Sequence, residues 1–214
     1  MSPLKAANFS KGLKAKEIIN ICIKKVYIKC VTRKANIHGG GANTNLNGLT
    51  FEKRTDFKTS LSKHPKIIIK ERIGFSEIYY KNKLQGFYTD KHNFYSYFLK
   101  KEQVKWKLII SKKYLPDAVF INQLNKTVYI IEKKFQAGSG SVDEKLQTCD
   151  FKKKIYIKLI EKCKTNYSTE YYYLLNDWYK REEYKDVKSY IISVGCKYFI
   201  DKIELMDLGI NIQE

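Results

Sequence analysis

The sequence is poor in acid, in arginine, in paired cysteines and in long apolar runs. Its five cysteines, Cys22, Cys30, Cys149, Cys163 and Cys196, are far apart and form no CxxC pair, and the chain has only three histidines. Neither a disulfide framework nor a zinc finger is indicated. No uninterrupted apolar run approaches the ~18 residues that a membrane span needs. The N-terminal stretch is basic but lacks an apolar core followed by a small-residue cleavage site, so the expectation is a soluble, intracellular, cytoplasmic protein without a membrane partner. The glycines after His38 precede no Gly-Lys-Ser/Thr, which excludes a P-loop, and no second histidine completes a His-metal nuclease motif.

The scarcity of acid has a consequence. There are 41 Lys and Arg against 22 Asp and Glu, a formal net charge of +19, and such an excess attracts a polyanion. The arginines are Arg33, Arg54, Arg72 and Arg181 alone, so the charge is almost all lysine. An A+T-rich codon supply enriches Lys, Ile, Asn and Tyr together, but it does not deplete Asp and Glu. The balance therefore points to nucleic acid.

At 214 residues the chain is about one domain long, and folding should remove ~70% of the unfolded surface from water. Residues 1–47 read as a basic N-terminal arm ending in a Gly/Asn loop, and residues 48–214 as the folded domain. Within the domain, "GLTFEKRTDFKTSL" reads as a helix, and the stretch from Lys66 to Asp90 as two or three strands punctuated by Gly74 and Gly86. "KHNFYSYFLKKE" reads as a short helix. Two further strands, "LPDAVFIN" and "KTVYIIEKKF", flank a turn at Gln123 to Lys126. Ser141 and Glu144 have the spacing of a capping box, opening a long helix that runs to about Cys163. "STEYYYLLND" reads as a strand, "WYKREEYKDVKS" as helix or loop, "YIISVG" as a strand, and "YFIDKIELMDLGI" as a closing helical or mixed segment.

A hairpin turning about Leu124 and Asn125 sets Asp117 opposite Glu132; Leu-Asn is not a preferred two-residue turn, and a longer asymmetric loop would shift that register by one. Side chains alternate, so Asp117, Val119 and Ile121 share one face with Ile130, Glu132, Lys134 and Gln136, while Tyr129, Ile131 and Phe135 take the other. Two opposed carboxylates ~5 Å apart repel by roughly 3 kcal/mol at an effective dielectric near 20. A bound cation removes that objection.

Pro116-Asp117, fourteen residues, then Glu132-Lys133-Lys134 resembles the PD-(D/E)xK signature of the restriction-endonuclease-like nucleases. The order of elements over about residues 48 to 176 resembles that family's core too. The resemblance implies an α/β fold with an αβββαβ core, a central mixed sheet flanked by helices. It also implies a Mg2+-dependent endonuclease acting on double-stranded DNA, most like a type II restriction enzyme and commonly a homodimer, with Mn2+ able to substitute and a cognate methyltransferase encoded nearby. Asp117 and Glu132 would hold the metal, with the main-chain carbonyl of Lys133 as a further ligand and Glu52 of the first helix as an additional metal-linked acid. Lys134 would orient or deprotonate the attacking water. Gln136 matches a glutamine found in several members. The turn at Ser139 and the helix start with Lys145 are candidates for phosphate contact. Asn45 and Asn47 are candidate nucleic-acid contacts, although asparagine serves ordinary turns equally well. A junction-resolving or repair nuclease, and a non-catalytic nucleic-acid-binding protein on the same fold, are the alternatives.

Overall fold

In a computed structural model, residues 48, 50, 51, 55, 57–137 and 142–211 are described. The chain divides by its contacts between residues 42 and 43, and all the described residues belong to the second unit. The expected arm, residues 1–47, lies outside the described residues, as do Glu52, Ser139, Asn45 and Asn47.

Seven strands form one mixed sheet whose spatial order is their order in the chain. They are β1 (Ile67–Arg72), β2 (Phe75–Tyr80), β3 (Lys83–Thr89), β4 (Ala118–Asn122), β5 (Thr127–Lys134), β6 (Ser168–Leu175) and β7 (Lys197–Ile200). The first five run antiparallel as a meander. β5 then pairs β6 in parallel, and β6 pairs β7 in parallel. Parallel neighbours need a crossover. Two earlier helices, α1 (Phe57–Ser62) and α2 (Lys91–Asn93), flank the first strands, and α2 runs on into a π-helical turn, Phe94–Leu99. The β5–β6 crossover carries α3 (Val142–Leu146) and α4 (Cys149–Ile160), and the β6–β7 crossover carries α5 (Lys185–Ser193).

The middle strands are buried on both faces, which is why "AVFI" and "VYII" read as unbroken apolar runs. On one face Val119, Ile121, Val128, Ile130, Tyr171 and Tyr173 pack against Phe94 and Phe98 of the π-helical turn and Tyr156 and Leu159 of α4. On the other, Ala118, Phe120, Tyr129, Ile131 and Tyr172 pack with Phe51, Leu61, Leu208 and Ile210. The α/β architecture with a mixed sheet flanked by helices is therefore as expected.

Two expected elements differ. "YIISVG" is no strand, because Tyr190 to Ser193 end α5. Ile191 is 0% exposed and Ile192 59%, and the half-buried Val187 and Val194 flank Ile191 at helical spacing. The β-branched pair that suggested a strand follows a period of 3.6. The long helix after Ser141 is two helices, α3 and α4, separated by Gln147 and Thr148. Thr148 turns its hydroxyl back onto the Lys145 carbonyl (2.7 Å) and so closes α3.

The β4–β5 turn is held from within. Asn122 is fully buried and its side-chain oxygen accepts the N–H groups of Leu124 (2.8 Å) and Asn125 (3.1 Å). Its amide donates to the carbonyls of Leu208 (2.9 Å) and Gly209 (3.1 Å), which fastens the C-terminal segment to the same turn. Beside it, Gly86 of β3 lies so close to β4 that a Cβ would strike the Ile121 carbonyl. Gly86→Ala should therefore destabilise the domain by about 3 kcal/mol, as forced overpacking does, read as a lowered midpoint in urea unfolding.

Candidate functional site

The residues that align β4 with β5 determine the site. Ala118 pairs Ile131 and Asn122 pairs Thr127, which is the register expected for a turn about Leu124 and Asn125. Asp117 stands one residue before β4, and its position is fixed by the chain leading to it. The Tyr95 hydroxyl donates to the Tyr114 carbonyl (2.8 Å) and accepts the Tyr114 N–H (2.9 Å). The Tyr156 hydroxyl of α4 donates to the same carbonyl (3.0 Å), and the Pro116 carbonyl accepts the Lys91 N–H (2.9 Å). Burial, opposed in part by the Tyr114 N–H that donates to the phenol oxygen, pushes the Tyr95 phenol up to about 12. It stays a neutral donor at physiological pH.

Asp117 and β5 are joined directly. The Lys133 N–H donates to Asp117 Oδ2 at 2.8 Å. Glu132, 3% exposed, lies on the face of β5 that meets α4. Its Oε2 takes two ammonium groups, Lys134 Nζ at 3.1 Å and Lys152 Nζ at 3.0 Å. Lys134 Nζ also donates to the Lys133 carbonyl at 3.1 Å. An ionised carboxylate in this position is tolerable only because cations match it. With Asp117 counted, two acids face two lysines.

Tyr156 and Tyr171 line the protein side of the cluster. Both are fully buried, and both phenol pKa values are raised, first by burial and next by the Glu132 carboxylate. Each therefore remains protonated where Glu132 is charged.

A hard divalent cation takes oxygen ligands, and the donors present are of that kind. Glu132 Oε2 and the Lys133 carbonyl converge on one positive group, the ammonium of Lys134, each 3.1 Å away. Asp117 accepts the N–H of the same residue, Lys133. The donor set fits Mg2+. Among the described residues no three His, Cys, Asp or Glu side chains gather as a metal-binding group, and Glu52 is outside them. Phe51, one residue before Glu52, packs its ring against Phe135, one residue after Lys134 (5.6 Å between centroids).

Of the remaining expected residues, Lys145 and Gln136 are among those described. Lys145 is exposed on α3. Gln136 is 3% exposed, and its main chain is clamped by Asn176, which accepts the Gln136 N–H (3.0 Å) and donates to its carbonyl (2.8 Å). Its side chain thus lies beneath the surface on which it was expected to meet nucleic acid. Lys152 and Asn176 do not stand out from the sequence as functional residues. Lys152 carries a signal all the same, since it falls between Cys149 and Tyr156 on the apolar stripe of α4, where a cation needs a buried partner. Asn176 carries none, because its role arises only when the ends of β5 and β6 lie side by side.

Comparison of the chain with protein-family models, with curated proteins and with solved structures gave no match. A functional assignment therefore rests on the geometry and charge of the chain itself.

Truncating Glu132 leaves two ammonium groups facing each other beside a partly dry core. Glu132→Ala should cost about 3 kcal/mol in urea unfolding, the scale for losing one member of a buried ion pair. Combining it with Lys152→Met should recover a measurable part of that loss, through removal of the stranded charge.

Proposed function

We propose that the protein is a Mg2+-dependent endonuclease that hydrolyses phosphodiester bonds of double-stranded DNA, of the restriction-endonuclease-like kind and most like a site-specific type II enzyme acting as a homodimer. The observation that carries the reading is the meeting of Glu132 and the Lys133 carbonyl on the ammonium of Lys134, with Asp117 anchored to the Lys133 N–H. The net charge of +19 supports a polyanionic substrate.

Each described residue has a role that its position permits. Asp117, Glu132 and the Lys133 carbonyl would hold Mg2+, with Glu52 as the additional acid. Bound there, the metal supplies a Lewis acid for the phosphoryl oxygens and lowers the pKa of water. Lys134, 18% exposed at its side chain, would release Glu132 and turn its ammonium towards the attacking water and the charge developing on phosphorus. Lys152 would hold Glu132 by its ion pair while the site is empty. Tyr156 and Tyr171 would exclude water from behind the carboxylate.

A non-catalytic nucleic-acid-binding protein is the second reading. One observation favours it, namely that two lysines already neutralise Glu132 without a metal. Incubating a plasmid with the protein, with and without Mg2+, separates the two. Discrete fragments appearing only with Mg2+ are expected; smearing or a preference for branched substrates would shift the reading to a repair or junction-resolving nuclease, and retained affinity without cleavage would leave the binder. Glu132→Gln and Lys134→Ala should each slow cleavage by at least ~100-fold, the scale for losing one group that stabilises the transition state, with circular dichroism unchanged. Lys152→Ala removes a competitor for Glu132 Oε2. It should lower the Mg2+ concentration for half-maximal cleavage by roughly 3- to 10-fold, an effect that loss of folding does not imitate.

A further inference from the structure

The stretch of chain that leads to Asp117 carries a basic, apolar cavity that the proposed cleavage chemistry does not use. Residues 100–114 read KKEQVKWKLIISKKY, six lysines against one acid. That acid, Glu102, is 7% exposed, and its carboxylate accepts the Thr165 N–H at 3.0 Å. The lysines are exposed, so the surface here has one sign.

The chain turns through a 3-10 segment, Trp106–Leu108, beside the π-helical turn. Between them lies a cavity of about 820 Å3 with Tyr95, Val104, Trp106 and Leu108 as its apolar lining and Lys100, Lys105 and Lys107 around it. The Trp106 ring stands edge-on to Tyr95, 5.5 Å between centroids. Lys113 Nζ lies 5.1 Å and Lys107 Nζ 5.9 Å from the centre of the Trp106 ring. Leu108, 82% exposed, is left in water.

We propose that this cavity is a binding site for an unpaired nucleotide of a single-stranded nucleic acid, with the base against Trp106 and Leu108 and the adjoining phosphates on Lys100, Lys105 and Lys107. A flat apolar group flanked by anions is what an apolar cavity within a ring of ammonium groups complements. Single-stranded nucleic acid supplies both repeatedly, and base-on-aromatic contact is tolerant of sequence. A duplex stacks its bases inside and offers this surface its phosphates alone. An acidic peptide matches the charge but not the cavity. The proposal rests on the nucleic-acid reading for its partner, and not on cleavage.

The test is fluorescence anisotropy on the full chain with a chelator present, so that no cleavage intervenes. The probes are a labelled 12-residue thymidine strand, the same length of abasic strand, a 12-base-pair duplex, and vesicles containing phosphatidylserine. The thymidine strand should bind about 10-fold more tightly than the abasic strand and should quench tryptophan emission. Trp106→Leu should abolish that difference. Because Trp106 also packs on Tyr95, the exposed Leu108→Ser and Lys105→Glu/Lys107→Glu variants are tested beside it; the first should reduce the base-dependent difference, and the second should weaken single-strand binding more than duplex binding. Equal affinity for abasic and thymidine strands, indifference to all three variants, or tighter binding of vesicles than of the strand overturns the site. Plasmid cleavage of the same variants in Mg2+ keeps the two proposals apart. Absent cleavage with base-dependent binding refutes the nuclease and leaves the site standing, whereas cleavage without base-dependent binding removes the site alone.

Discussion

A carboxylate that is 3% exposed at Glu132 has to be met by positive charge, and the place of β5 in the sheet decides which charges reach it. All eight residues of β5 pair with β6, and five pair with β4. The strand therefore cannot twist to release its acid to solvent. One cation comes from β5 itself, two residues on, where the pleat returns to the same face. The other descends from α4, the helix that the parallel crossover lays over that face. Both end on the same carboxylate oxygen, within 3.1 Å.

Much of this was legible in the sequence because a hairpin translates number into position. The turn at Gln123 to Lys126, the pairing of Ala118 with Ile131, and the division of Val119 and Ile130 from Phe120 and Tyr129 follow from a period of two. Contacts across the crossover were not legible in the same way. Lys152 lies twenty residues from Glu132, and although its place on the apolar stripe between Cys149 and Tyr156 marks it among the lysines of "FKKKIYIK", nothing in either element pairs it with Glu132 until α4 is docked. The α3–α4 break was hidden for a related reason. Gln147 and Thr148 carry no glycine or proline, and the turn there is closed by a threonine hydroxyl that a helix interior also accommodates. The misread "YIISVG" shows the opposite hazard, since β-branched residues belong equally to a strand and to the buried stripe of a short helix.

The sheet changes character at β5, antiparallel on one side and parallel on the other, and the candidate site lies where β5 ends. Ligands of open α/β sheets gather outside the carboxyl ends of parallel strands, where backbone carbonyls and loop residues face outward together. β5 and β6 end beside each other at Lys134 and Leu175, and Asn176 ties the residues just beyond both strands by two hydrogen bonds. The protein side is closed by Tyr156 and Tyr171, both fully buried. The side chains of Lys134 and Lys152 keep 18% and 24% of their surface, so the approach to Glu132 is past the lysines. On the proposed reading, an incoming cation would meet an ammonium group already seated between the Glu132 carboxylate and the Lys133 carbonyl, and the two would compete for the same oxygens. A phosphate would meet the same ammonium as a partner and draw it outward. Anion and metal would thus assist one another at this position, because the group that the metal has to displace is the group that a phosphate attracts.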